Sequence, residues 1–184
     1  MLETPVTEQS ISHLIRHGQL QSNTWRTFEP VEQDSADTSP TLPADEPGWI
    51  VPIALWDQAA QTLRQRQHPV AILLAPDSTL NSLLADNGHV DPTGIAFIAI
   101  DFPVYTDGRG YSLAQLLRTQ HGWQGELRAI GDVMIDTIHY QARVGFDSFV
   151  VKPGHDPEKA LAAFNTFTVH YQKTYLKPAS SLVA

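Results

Sequence analysis

Ile95-Ala96-Phe97-Ile98-Ala99-Ile100, followed by Asp101-Phe102-Pro103, is the stretch that decides the fold. An apolar run this short, rich in β-branched and aromatic residues, reads as a strand buried on both faces. Strands of that kind belong to parallel sheets covered by helices. The same pattern recurs on either side, in Trp49-Ile50-Val51-Pro52-Ile53-Ala54-Leu55 and Val70-Ala71-Ile72-Leu73-Leu74-Ala75 before it, and in Glu126-Leu127-Arg128-Ala129-Ile130 and Ser148-Phe149-Val150-Val151 after it. The expected fold is α/β, with about five parallel strands alternating with helices. Regular βα units with polar residues at each strand end suit a partial TIM-like barrel, and an open doubly wound sheet would show the same alternation.

The intervening segments carry helical spacing. Leu113, Leu116 and Leu117 fall on one face of a helix over Tyr111–His121, with Ser112 as a candidate N-cap and Gly122 as a stop. Asp132 is placed to cap the next helix, whose stripe is Met134, Ile138 and Ala142 and whose end is marked by Gly145. Asp156-Pro157 opens a last helix with Leu161, Phe164, Phe167 and Tyr171 on its apolar side, a core stripe more readily than a cofactor contact.

Ahead of these units, Ser12–Arg16 and Thr24–Phe28, separated by Gly18 and Asn23, read as an N-terminal β-hairpin over 11–29. Residues 31–47 hold Asp, Glu, Ser, Thr and Pro without Lys or Arg and predict a mobile acidic loop. The βα repeats then span 49–172, and 184 residues suit a single domain over 1–184. A formal charge of −8 opposes extended binding to nucleic acid or an acidic membrane surface, where clustered Lys and Arg are needed. Cysteine is absent, which excludes disulfides, thiolate nucleophiles and Cys-ligated iron–sulfur or zinc sites. The chain has no apolar run of membrane-spanning length, and Met1-Leu2-Glu3-Thr4-Pro5 lacks signal-peptide character, so the expected compartment is the cytoplasm.

In a parallel sheet, chemistry gathers beyond the carboxyl ends of the strands. Asp101, Asp132 and Lys152 follow three successive strands and are the candidate catalytic residues, with a carboxylate as general base and the lysine as acid or electrostatic stabiliser. Each also has an ordinary structural use, as an N-cap, a turn cap or a solvated charge. The segment Asp107-Gly108-Arg109-Gly110-Tyr111-Ser112 has the makings of an anion-gripping loop, since two glycines allow close backbone approach and Arg109 offers a planar set of donors. Arg118 and Arg128 lie on neighbouring elements and could complete a site for phosphate, sulfate, sulfite or a carboxylate. Arg109 could equally brace Asp107 or Asp132. Gly-Arg-Gly resembles the start of a dinucleotide fingerprint, but its glycines come several residues after the strand and the third is missing. The eight histidines show no metal-ligand spacing, no haem or iron–sulfur ligand set is evident, and Ser112 lacks the surroundings of a hydrolase nucleophile.

As an ordered set, Asp107-Gly-Arg-Gly-Tyr-Ser-Leu-Ala114, Gly125-Glu-Leu-Arg-Ala-Ile-Gly-Asp132 and Gly145-Phe-Asp-Ser-Phe149 resemble an uncharacterised bacterial family labelled as oxidoreductases of sulfite reduction. The resemblance covers the chain from about the third βα strand onward. It implies a place in assimilatory sulfite reduction and cysteine supply, with the sulfite reductase haemoprotein, encoded beside members of the family, as the partner. Two expectations follow. One is an accessory protein that docks on the sulfite-reducing machinery and holds an oxyanion at an Arg/Lys/Asp rim. The other is an enzyme, an oxidoreductase with a borrowed nucleotide cofactor or an acid/base catalyst on an anionic substrate. An open or half-closed sheet leaves edges exposed, so a homodimer is also expected.

Overall fold

The computed structural model describes residues 13–30 and 40–165. Its strands are β1 (His13–Arg16), β2 (Gln19–Ser22), β3 (Arg26–Thr27), β4 (Trp49–Pro52), β5 (Val70–Leu74), β6 (Ile95–Phe102), β7 (Leu127–Gly131) and β8 (Ser148–Val150). They form one mixed sheet in the order β2-β1-β8-β7-β6-β5-β4-β3. Each neighbouring pair from β3 to β8 is parallel, whereas β1 is antiparallel to both β8 and β2. The five expected βα strands are all present, and the expected N-terminal hairpin is there as the antiparallel pair β1–β2, but the sheet also holds a sixth parallel strand, β3, and is mixed where a parallel one was expected. From β3 to β8 the order runs without reversal, which is consistent with a half-barrel, whereas a doubly wound sheet would show a switch point.

Four helices, α1 (Ile53–Arg64), α2 (Arg109–Thr119), α3 (Ile138–Val144) and α4 (Pro157–Ala162), follow strands β4, β6, β7 and β8. Crossovers of one hand between consecutive parallel strands place such helices on one face. The main core is built accordingly: Val51, Ile72, Leu74, Ile98, Ile100, Phe102, Leu127, Ala129 and Phe149 of the sheet pack with Leu55, Trp56, Leu63, Leu113, Leu117, Ile138 and Ala160 of the helices. Strand residues of the other parity, Ile50, Ala71, Phe97 and Ala99, form a smaller cluster on the opposite face with Trp25, Leu73 and Ile130 around it. A register shift between Val70 and Ile72 against β6 lets Ile95 and Ile98 both face the helices while Phe97 points away.

Three local expectations are corrected. The N-terminal hairpin pairs His13–Arg16 with Gln19–Ser22 around a tight turn in which His17 and Gly18 take positive φ, and Thr24–Phe28 is not its second strand. That segment supplies β3, beside β4 at the far edge of the sheet. The apolar run beginning at Trp49 is a strand only as far as Pro52, whose extended φ/ψ ends the strand and opens α1. Residues 31–39 of the acidic loop lie outside the described residues. Its remainder is pinned: Asp45 accepts the backbone N–H groups of Gln67 and His68, and the Pro43 carbonyl accepts from Arg66.

The helix ends match their chemistry in part. Gly145 closes α3 at φ +115, and Asp156 caps α4 by accepting from the backbone N–H groups of Glu158 and Lys159, with Pro157 in the first turn. Ser112 lies inside α2, which begins at Arg109, and Thr137, not Asp132, stands at the start of α3. Leu161 and Phe164 pack on the core as the last stripe predicts; Phe167 and Tyr171 lie outside the described residues.

Candidate functional site at the carboxyl ends of the strands

Phe102 ends β6, Gly131 ends β7, and the two are paired in register. This juxtaposition brings Asp101, Asp132 and Lys152 to one rim. The Asp132 backbone N–H donates to the Phe102 carbonyl at 2.7 Å. Its carboxylate accepts from Lys152 Nζ at 2.6 Å through Oδ1 and from the Tyr105 backbone N–H at 3.0 Å through Oδ2. One side chain therefore ties the end of β7 to the chain leaving β8 and to the loop leaving β6. The hydrogen bond from Lys152 is the largest of the effects that hold Asp132 below the ordinary carboxylate range, followed by the Tyr105 N–H.

Gly131 makes the approach possible. Its φ is +89°, and a Cβ there would meet Asp101 Oδ1 and lie 2.6 Å from the Phe102 carbonyl oxygen. Asp101 sits half-buried on the sheet face away from the helices and has no ion pair among the described residues. Burial pushes its carboxyl above the usual range, opposed by the Phe102 backbone N–H. Two carboxylates on one rim are thus driven in opposite directions by their surroundings.

The glycine-flanked arginine is differently engaged. Arg109 Nε and Nη2 donate to Asp107, the shortest contact being 2.7 Å, and the Arg109 backbone N–H also donates to Asp107 Oδ1 at 3.0 Å. The Arg109 side-chain hydrogen bond chiefly lowers Asp107. Of the two roles open to Arg109, the geometry displays the brace to Asp107. Gly110 serves packing: a Cβ would come within 2.7 Å of the Phe102 ring. Gly108 precedes α2 with open space around it, and Ser112 is exposed on that helix.

Arg128 and Arg118 do not join the rim. Arg128 lies near the start of β7, four residues before Asp132, a separation of roughly 13 Å along an extended strand. Its guanidinium is held by Glu126, with Nη2 to Oε1 at 2.6 Å. Arg118 is buried and donates to the carbonyls of Trp123, Gly125 and Gly145 and to the Asp147 carboxylate, a structural clamp between α2 and two loops.

Sequence reasoning missed Val104 and Tyr105, which are 51% and 50% exposed and stand on the loop that Asp132 tethers. Their signal was weak, because two apolar residues between Pro103 and Thr106 look like any turn. Among the described residues, no group of three His, Asp or Glu side chains is arranged to hold a metal, and no helix is long and apolar enough to cross a membrane.

A family of bacterial proteins of unknown function, DUF934, matches residues 71–182, which is 112 of the 184 positions. The chain belongs to the DUF934 family. The matched span begins in β5 and contains every rim residue of this DUF934 protein, from Asp101 through Arg109 and Asp132 to Lys152, while the hairpin, β3, β4 and α1 precede it. Neither a curated protein nor a solved structure matches the chain.

Proposed function

We propose that this DUF934 protein is a cytoplasmic accessory of assimilatory sulfite reduction, docking on the sulfite reductase haemoprotein through the carboxyl-end rim. The carrying observation is the pair of exposed apolar residues Val104 and Tyr105 on a loop fastened by the Asp132–Lys152 pair. A rigidly presented tyrosine among charged groups is the make-up of an interface anchor. Asp101, Asp107 and Asp132 on this rim outnumber Arg109 and Lys152, which favours a basic patch on the partner. The sulfite-reducing partner itself rests on the family resemblance of the Asp107–Ala114, Gly125–Asp132 and Gly145–Phe149 segments. An oxyanion at this rim must compete with Asp107 for Arg109 or with Asp132 for Lys152, so docking is the better-supported role.

The test is a titration of the purified haemoprotein with the full chain. Saturable binding that Tyr105→Ala weakens roughly tenfold or more is the expected result. Absence of binding, or binding indifferent to Tyr105→Ala and Val104→Asp, overturns the proposal.

A second reading, an enzyme that is either an oxidoreductase with a borrowed nucleotide cofactor or an acid/base catalyst on an anionic substrate, is favoured by one observation: Asp101 is half-buried on the rim with its carboxyl raised by burial, which suits a proton-transferring group. Stabilisation of the chain by a flavin or a nicotinamide nucleotide, lost in Asp101→Asn, supports it.

A further inference from the structure

At the other end of the strands, on the sheet face away from the helices, two arginines converge on one carboxylate. Glu126 Oε1 accepts from Arg128 Nε at 3.0 Å, from Arg128 Nη2 at 2.6 Å and from Ser148 Oγ at 2.6 Å. Glu126 Oε2 faces Arg16 Nη2 at 2.9 Å. Arg128 Nε also lies 3.2 Å from Ser148 Oγ, and its guanidinium carbon stands 3.8 Å above the Phe97 ring. Strand pairing sets this arrangement, because Arg16 is opposite Ser148 across β1 and β8, and Ser148 is opposite Arg128 across β8 and β7.

A structural pin between the hairpin and the parallel sheet needs one arginine and one carboxylate. Among the described residues there are two guanidinium charges and one carboxylate here, leaving a net positive charge. Arg128 has a side chain only 2% exposed, and its Nη1 is buried without a hydrogen-bond partner among the described residues, as is Arg16 Nε. Desolvation is the main effect lowering Arg128, and the Arg16 charge adds to it against the attraction of Glu126. Buried guanidinium N–H groups without acceptors are costly, and the phenyl face of Phe97 offers no oxygen. Arg16, 40% exposed, connects the cluster to solvent.

We propose that Arg16 and Arg128 form a site for a small anion with at least two acceptor oxygens, an oxyanion or a carboxylate, at the amino ends of β7 and β8. Glu126 occupies Arg128 Nε and Nη2 and Arg16 Nη2, so the donors left for such a ligand are Arg128 Nη1 and Arg16 Nε, one for each of two oxygens, and its charge cancels the surplus that Glu126 leaves. Ser148 and Glu126 position the Arg128 fork. The site is separate from the carboxyl-end rim and from Arg109, and it stands whether or not the rim docks a partner.

The experiment is thermal unfolding and calorimetric titration of the full chain with sodium sulfate, sulfite and acetate, against sodium chloride of equal ionic strength. A saturable rise in Tm is expected for at least one probe, because a ligand of the folded state stabilises it by mass action. Arg16→Gln should weaken that binding roughly tenfold or more, through loss of charge-assisted bonds, whereas Arg109→Gln should leave it intact. Arg16→Lys keeps charge and strand but not the fork, and should also bind more weakly. Preference for sulfate or sulfite assigns an oxyanion; preference for acetate assigns a carboxylate. No effect beyond the chloride control, or binding that persists in both Arg16 variants, or binding lost in Arg109→Gln instead, overturns the site.

Discussion

Lys152 Nζ lies 2.6 Å from Asp132 Oδ1, and through this pair the chain leaving β8 grips the carboxyl end of β7. Asp132 has its pKa lowered by this contact, so its contribution to stability is present above the unfolded value of 3.8 and is lost as pH falls through the lower folded value. Lys152→Met removes the largest cause of the shift. The stability difference between wild type and Lys152→Met should be constant near neutrality and shrink below about pH 4, as read by urea unfolding across that range.

Asp101 has the opposite sign. Its carboxyl is raised by burial, so the folded state holds the proton more tightly than the unfolded chain, and stability declines as pH rises from 3.8 through the folded pKa. Asp101→Asn removes that decline. The variant should be more stable than wild type at neutral pH and lose the advantage in acid, measured as the urea midpoint at each pH.

Gly131→Ala tests the close approach of β6 and β7. With φ at +89° and the Phe102 carbonyl 2.6 Å from the added methyl, the substitution combines backbone strain with a clash. It should destabilise by about 2 kcal/mol or more, seen as a lower denaturant midpoint with unchanged slope.

Arg118→Ala leaves the carbonyls of Trp123, Gly125 and Gly145 and the carboxylate of Asp147 without their shared donor in a buried setting. Breaking a buried charged network from one side costs about 3–5 kcal/mol, so the variant should show a large fall in Tm or fail to accumulate folded.

The central strands were readable because Val70–Leu74 and Ile95–Phe102 are apolar on both faces, and a local run of that kind has few other uses. Gly145 and Asp156 were readable for a similar reason, since cap chemistry involves only the adjoining turn. Asp132 resembled a cap in sequence but is claimed by Lys152, twenty residues away. Thr24–Phe28 is short, and nothing within it says whether it pairs with the hairpin or with β4.

The sequence by itself thus determined the α/β class, the parallel strands from β4 to β8, and the presence of Asp101, Asp132 and Lys152 at strand ends, because each depends on side-chain patterning within about ten residues. Only the tertiary structure decided that β1 and β3 lie at opposite sides of one sheet, that Asp132 meets Lys152, and that Arg128 joins Arg16 instead of Arg109. Those outcomes depend on strand order and register, which are set by contacts between distant segments and by which face of the sheet the helices cover.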